Sequence, residues 1–419
     1  MHHLPPLISD LALILVTAAI SLVIFRYLKL PVILGYMAAG VLVGPHSKLL
    51  PTVTDTSNVN LWAELGVIFM LFSIGIEFSF KKLKSVGSTA FTTGIIQTVA
   101  LMTIGYYLGR ALEFNKMASI FLGATLAISS TTIILKTFEE LHLKSKKFAQ
   151  NVIGILIVED LVAILLMVFL TTLTVSKGFE GTELLMMSGK LVFMITLWFV
   201  SGVFIIPWAL RSAKKYMTDE TILVVAVGLC LMMVVGATSA GFSAALGAFL
   251  MGSIIGESEE KHRIEKLLLP VKDLFSAIFF VSVGMLINPT SLLENPSHVL
   301  IISAILIFGN LFFVSFGSLI SGESFKNSTY AGISLGQIGE FSFIIATLGK
   351  TLGVTDDKFY STIVAVSAVT SLSTPFLIKY RENIHRGILR IVPRRTQVAL
   401  SQYSDASNMM KATPEERCD

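Results

Sequence analysis

The stretch Gly154-Ile155-Leu156-Ile157-Val158-Glu159-Asp160-Leu161-Val162-Ala163-Ile164-Leu165-Leu166-Met167 sets two adjacent carboxylates in the middle of an apolar run. A charge at the centre of a bilayer costs at least about 2.5–3.5 kcal/mol, so ionisable groups at that depth are rare and serve a function. Composition shows that a bilayer is the right setting. Of 419 residues, 53% are hydrophobic and 14% charged, against about 25% charged in ordinary soluble domains, and the mean hydropathy is +0.77. The chain reads as an all-α polytopic membrane protein.

The basic balance does not point to nucleic acid, because Lys and Arg fall in short clusters between apolar runs rather than along one stripe. Cys230 and Cys418 cannot make a disulfide framework or a cysteine-rich metal site. Met1–Asp10 lacks a basic region, and the first apolar run continues past Ile20 to Arg26 and Lys29, so a cleavable signal peptide is not expected.

A spanning helix needs about 20 mostly apolar residues, and about thirteen segments between residues 7 and 380 qualify. Alternate loops hold 16 and 7 basic residues, which puts the richer side in the cytoplasm, the N-terminus outside and the basic tail inside. Segment two carries Leu34-Gly35, Gly40 and Gly44, and segment nine carries Leu246-Gly247, Gly252 and Gly256 at the same spacing. Segment three has Leu71-Phe72-Ser73-Ile74-Gly75-Ile76, and segment ten Phe280-Val281-Ser282-Val283-Gly284-Met285. A shift of seven segments is odd, so the second copy enters the membrane inverted, an arrangement that transporters use to build a midplane site from broken helices. The competing reading is that spaced glycines only let helices pack closely.

Segment five contains Ala127-Ile128-Ser129-Ser130-Thr131-Thr132, and its repeat mate contains Gly332-Ile333-Ser334-Leu335-Gly336-Gln337-Ile338-Gly339-Glu340. Hydroxyl side chains can bond their own helix backbone. Alternatively both helices unwind here, and carbonyls with Ser129, Ser130, Thr131 and Thr132 line an ion cavity. Asp160 lies twelve residues into segment six, about 18 Å deep at 1.5 Å per residue, near the middle of a ~30 Å core. A carboxyl group shielded from water holds its proton, and a bound cation displaces it. Proton and cation then compete for one group, which is the basis of antiport. Asp160 is assigned as that carrier, with a monovalent cation at Asp160 and Thr131. Glu159, about 100° round the helix, is a second titrating carboxylate or a structural one paired with a lysine. Lys272 and Gln337 are supporting candidates, and Glu340 at mid-depth needs a partner or a proton.

Over residues 5–385 the chain resembles the second family of monovalent cation:proton antiporters, and within it the membrane domain of Kef-type potassium efflux proteins. The matching residues are Ser129-Ser130-Thr131, the acidic pair ending in Asp160, Phe279 to Met285, and Gly336-Gln337-Ile338-Gly339-Glu340-Phe341-Ser342-Phe343. The resemblance implies a sodium/proton antiporter-like fold with two discontinuous crossing helices, a bacterial inner membrane location, a homodimer, and a core domain that moves as an elevator. It also implies ion binding by Asp160 and the hydroxyl run. Kef-type proteins have glutamine before the aspartate; Glu159 is instead similar to the carboxylate pairs of sodium/proton antiporters. The loop Glu257 to Glu265 resembles the Kef regulatory loop, but Lys266 to Leu269 replaces the acidic residues expected after it. No glycine-rich nucleotide fingerprint follows Lys379, so a cytoplasmic nucleotide-binding regulatory domain would be separate or removed, and glutathione gating has no support here.

The expected organisation is a transmembrane antiporter domain over 1–385, with repeats at about 7–174 and 220–380, a linker helix near 188–210, and a cytoplasmic basic tail over 386–419 that is either disordered or a truncated linker to a regulatory domain. The expected function is exchange of protons for K+ or Na+ in pH and cation homeostasis, with no cofactor beyond the transported ions and no enzymatic activity. A ligand-gated potassium channel would need carbonyl-lined filter loops. A symporter of small organic anions would need positive groups at mid-depth.

Overall fold

The computed structural model describes residues 6–28, 30–47, 51–53, 56–77, 86–175, 218–240, 242–287 and 296–393, with isolated residues between 189 and 212 and Tyr403. Every regular element among them is a helix: α1 (Pro6–Tyr27), α2 (Val32–Val43), α3 (Thr56–Glu77), α4 (Ser88–Ala111), α5 (Lys116–Leu126), α6 (Thr131–Glu140), α7 (Lys147–Val175), α8 (Asp219–Ser239), α9 (Ala244–Gly256), α10 (Lys261–Met285), α11 (Pro296–Ile320), α12 (Phe325–Ser334), α13 (Glu340–Thr351), α14 (Asp357–Lys379) and α15 (Arg381–Ile391). Among the described residues, eight helical spans are long and apolar enough to cross a membrane. The expected linker helix at 188–210 lies mostly outside the described residues.

Apolar side chains cover the outside as well as the core. On α1, Val16, Ile20 and Val23 are exposed, and on α8 so are Val224, Met232 and Val235. A helix that is apolar all round suits lipid on its outer face. Helix starts carry their own caps: Thr218 Oγ1 accepts the Thr221 N–H ahead of α8, and Asp356 accepts the Phe359 N–H ahead of α14. Each cap stabilises its helix by roughly 1 kcal/mol.

The chain forms two compact units, one of residues 1–82 with 164–289 and the other of 83–163 with 290–419. Each unit takes helices from both halves of the sequence. In the first, the repeated glycines make close helix crossings. A Cβ on Gly40 would fall on the Val281 carbonyl of α10, and one on Gly284 would fall on the Met37 carbonyl of α2. The mirrored crossing joins α3 and α9, where a Cβ on Gly75 would meet the Phe249 carbonyl and one on Gly252 the Phe72 carbonyl. These glycines therefore pack helices, as the plainer reading held, and they do so in two crossings related by exchange of the halves. The core of this unit gathers Ile14, Ala39, Val43, Ile278 and Val281. The second unit packs Phe138, Phe148, Leu156, Val314, Tyr330 and Ile378 around its own core.

Two boundaries differ from expectation. Helix α10 begins at Lys261, so most of the expected loop through Glu265, and the residues to Leu269, are helical, and Lys272 sits near the helix midpoint rather than its start. Lys and Glu are good helix formers, and their polarity alone had suggested a loop. Helix α15 carries regular structure beyond residue 385, to Ile391, where a disordered tail was expected.

Candidate functional site

Between α5 and α6 the chain leaves helical geometry at 127–130, and between α12 and α13 it does so at 335–339. Both breaks lie in the second unit. Each frees backbone groups that hydrocarbon cannot satisfy. The Thr125 carbonyl accepts from Ser342 Oγ at 2.7 Å, the Ile128 carbonyl from the Gly339 N–H at 3.0 Å, and the Ser130 carbonyl from Gln337 Nε2 at 3.3 Å. In the other direction, Ser129 Oγ donates to the Leu335 carbonyl at 3.1 Å. Gln337 Oε1 in turn accepts from Thr374 Oγ1 of α14 at 3.1 Å. The two breaks thus clasp each other. The approach requires glycine at 339, since a Cβ there would lie 2.7 Å from the Ser129 carbonyl carbon.

The free N–H groups are also taken. Ser130 Oγ caps α6 by accepting the Ile133 N–H at 3.3 Å, and Thr370 Oγ1 accepts the Ile338 N–H at 3.4 Å. The Ser129 N–H donates to Glu159 Oε2 at 2.7 Å. Glu159 has no exposed surface, and its other oxygen, Oε1, has no hydrogen-bond partner among the described residues. One residue further along α7, Asp160 is only partly buried. The Thr131 hydroxyl donates toward it, 3.2 Å from one carboxylate oxygen and 3.4 Å from the other. Thr131 is the first residue of α6, so Asp160 adjoins the positive end of a half-helix dipole.

Ser129, Ser130, Thr131, Glu159, Asp160 and Gln337 therefore come together, while Thr132 is exposed. Glu340 opens α13, a position where a carboxylate favours the helix dipole. Lys272 belongs to the first unit, with its ammonium 3.7 Å from Asp273. Of the two readings of Glu159, the one that pairs it with a lysine meets a backbone N–H, that of Ser129, in the lysine's place. The picture of open carbonyls lining a cavity also changes in part, because donors from the second half engage the Ile128 and Ser130 carbonyls of the first break. Asp160 and Thr131 present carboxylate and hydroxyl oxygens side by side at the start of α6. Sequence reading missed Gln97, Asn310, Thr370 and Thr374, and named Ser342 only within the matching stretch from Gly336 to Phe343. The signal present for the first two was an amide side chain in each of two corresponding apolar spans.

Residues 12–379 match the family described as sodium/hydrogen exchanger, transmembrane. The chain belongs to this family, whose members are transporters. It is 34% identical to YbaL of Escherichia coli (strain K12), named as a cation/proton antiporter, over 91% of this chain and 70% of that protein. It is 32% identical to K(+) efflux antiporter 5 of Arabidopsis thaliana, over 89% of this chain and 66% of that one. Among solved structures, the sodium proton antiporter MjNhaP1 of Methanocaldococcus jannaschii superposes with a TM-score of 0.66 at 17% identity, covering 90% of this chain and 97% of that chain. This last likeness establishes a sodium/proton antiporter-like fold.

Proposed function

We propose that this chain exchanges protons for K+ or Na+ across a bacterial inner membrane by alternating access, in pH and cation homeostasis, with Asp160 as the carboxylate that both ions share. The observation that carries this reading is the Thr131 hydroxyl set against both oxygens of a half-buried Asp160, at the end of a broken helix. When a cation binds, the hydroxyl turns a lone pair toward it, and the carboxylate supplies the compensating charge. When the cation leaves, a proton takes its place. The empty, charged site crosses hydrocarbon badly, so the two ion movements are coupled. Glu159, fixed through Oε2, keeps Oε1 free to carry a second proton. Ser129, Ser130 and Gln337 hold the frame, and the exposed Thr132 has no part in this reading.

The site residues named here lie in one compact unit, which supports carriage of the site as a single body. The homodimer, the elevator motion and a cytoplasmic regulatory domain rest on the Kef-type resemblance. Outside placement of the N-terminus and cytoplasmic placement of the C-terminus rest on the loop charges. The names of the relatives, one a K(+) efflux antiporter and one a cation/proton antiporter, support the choice of cargo.

The test is proton flux in proteoliposomes holding the purified chain, with a pH-sensitive dye inside, K+ or Na+ added outside, and the membrane potential clamped. Saturable alkalinisation with one cation, absent in Asp160→Asn, is expected. Cation conductance without proton movement, or exchange near the wild-type rate in Asp160→Asn, would overturn the assignment.

A further inference from the structure

Behind the first helix break two amide side chains meet in the interior of the second unit. Gln97 on α4 and Asn310 on α11 are both fully buried. Gln97 Nε2 donates to Asn310 Oδ1 at 3.3 Å and to the Ala127 carbonyl at 3.2 Å, and its Oε1 accepts from Thr98 Oγ1 at 3.2 Å. Asn310 Nδ2 donates to the Leu306 carbonyl of its own helix at 3.2 Å. A buried amide is costly unless its N–H and C=O groups are used, and in Gln97 they are. The Ala127 carbonyl can only accept, which fixes the NH2 end of Gln97 toward it.

The pair is separated by 213 residues, against the 212 between Gly35 and Gly247. The two amides thus lie in corresponding helices of the two halves, within about a turn of equivalent positions, and meet each other. Interhelical glue needs only their mutual bond. The bond to Ala127 is additional, and it reaches the residue that caps the end of α5 just before the non-helical stretch Ile128–Ser130.

We infer that Gln97 is a positioning residue for the ion site: it fixes the end of α5 and, through it, the placement of Ser129 on Glu159 and of Thr131 on Asp160, while Asn310 holds Gln97 in register. This rests on the antiport reading of that site. Gln97 touches no transported ion; it sets where the groups that do so stand.

The experiment uses the full chain in proteoliposomes, with wild type and Asp160→Asn as references and Gln97→Leu and Gln97→Glu as variants. Gln97→Leu is expected to raise the half-saturating cation concentration on the order of tenfold, with a smaller fall in maximal rate, as for a lost buried hydrogen bond. Amide hydrogen exchange in residues 125–131 should quicken in this variant while α14 is unchanged. At low pH the protonated carboxyl of Gln97→Glu still donates to Ala127, and exchange approaches wild type. At higher pH its carboxylate faces a carbonyl oxygen, and exchange falls along a limb absent from wild type. Half-saturation within twofold of wild type in a folded Gln97→Leu, or a wild-type pH profile in Gln97→Glu, overturns the inference. If Gln97→Leu does not assemble, Gln97→Glu decides alone. Failure of the antiport reading is separable, because wild type would then show no exchange while the amide-exchange readout still reports on the break.

Discussion

The backbone N–H of Ser129 donates to Oε2 of Glu159 across 2.7 Å, so a side chain 30 residues further along the sequence satisfies a donor freed by the first helix break. Glu159→Gln keeps an oxygen for this bond; exchange should persist, with a changed pH dependence or stoichiometry. Glu159→Leu leaves a buried N–H without an acceptor, a loss of about 1–3 kcal/mol, and should lower the unfolding midpoint below that of Glu159→Gln. Flux and thermal unfolding of the two variants check this. Complete loss of exchange in Glu159→Gln would transfer the carrier role to Glu159.

Thr131→Val removes the hydroxyl beside Asp160 and preserves shape. With a cation bound the hydroxyl oxygen is a ligand to it, and losing an interaction with a charged group costs about 1.5–3 kcal/mol, so cation half-saturation should rise roughly tenfold or more. An unchanged half-saturating concentration, read from dye quenching against cation concentration, would count against the hydroxyl as a ligand.

Gly339→Ala sets a methyl group 2.7 Å from the Ser129 carbonyl carbon. The atoms it would meet, in Ser129 and Ser130, are all backbone, so relief requires the two breaks to separate, which strains the Gly339 N–H bond to Ile128. Overpacking of this kind costs about 1–3 kcal/mol. Reduced thermal stability together with weakened cation binding is expected; wild-type values for both would show that the crossing is looser than its geometry indicates.

At the end of the second unit, His385 of α15 lies buried against the rings of Phe325 and Tyr330, at centroid distances of 5.4 and 5.7 Å. Burial, with the nearby Lys326 charge, pushes its pKa below the ordinary 6.5. Arg381, stacked over Phe148 and Tyr330, adds a second cation nearby. The docked helix therefore prefers neutral histidine. Docking is at full strength above pH 6.5 and weakens as pH falls from there through the lowered value. Amide exchange in residues 381–391, corrected for the chemical exchange rate, should quicken over that window in wild type and stay flat in His385→Phe. Equal pH responses in the two would remove His385 as the cause.

Sequence alone located the breaks, because Ser129-Ser130-Thr131 and the glycines from Gly332 to Gly339 are poor choices for an uninterrupted lipid-spanning helix. It also located the intramembrane carboxylates, because their cost is legible without any partner. What it could not supply was pairing. That Gln337 reaches the Ser130 carbonyl, or that Gln97 reaches Ala127, depends on which helices lie side by side, and hydropathy periods carry no such information. Helix α15 escaped for another reason: it is short, with Arg381, Arg386 and Arg390 among Ile384, Ile388 and Ile391, a pattern that a search for long apolar windows passes over.

The mutual clasp of the two breaks also has a consequence for biogenesis. The carbonyls of Thr125, Ile128 and Ser130 receive donors from Ser342, Gly339 and Gln337, all more than 200 residues downstream. When the first half leaves the ribosome those donors have not yet been synthesised, and the nascent break sits in lipid with its polar backbone unanswered. The early half must therefore remain continuous helix, or stay sheltered at the insertion machinery, until the late half arrives and draws it open. The surroundings of the carboxylate pair thus take their shape only after the second half has been made, and a chain halted between the halves would hold both carboxylates without the donors that clasp the break beside them.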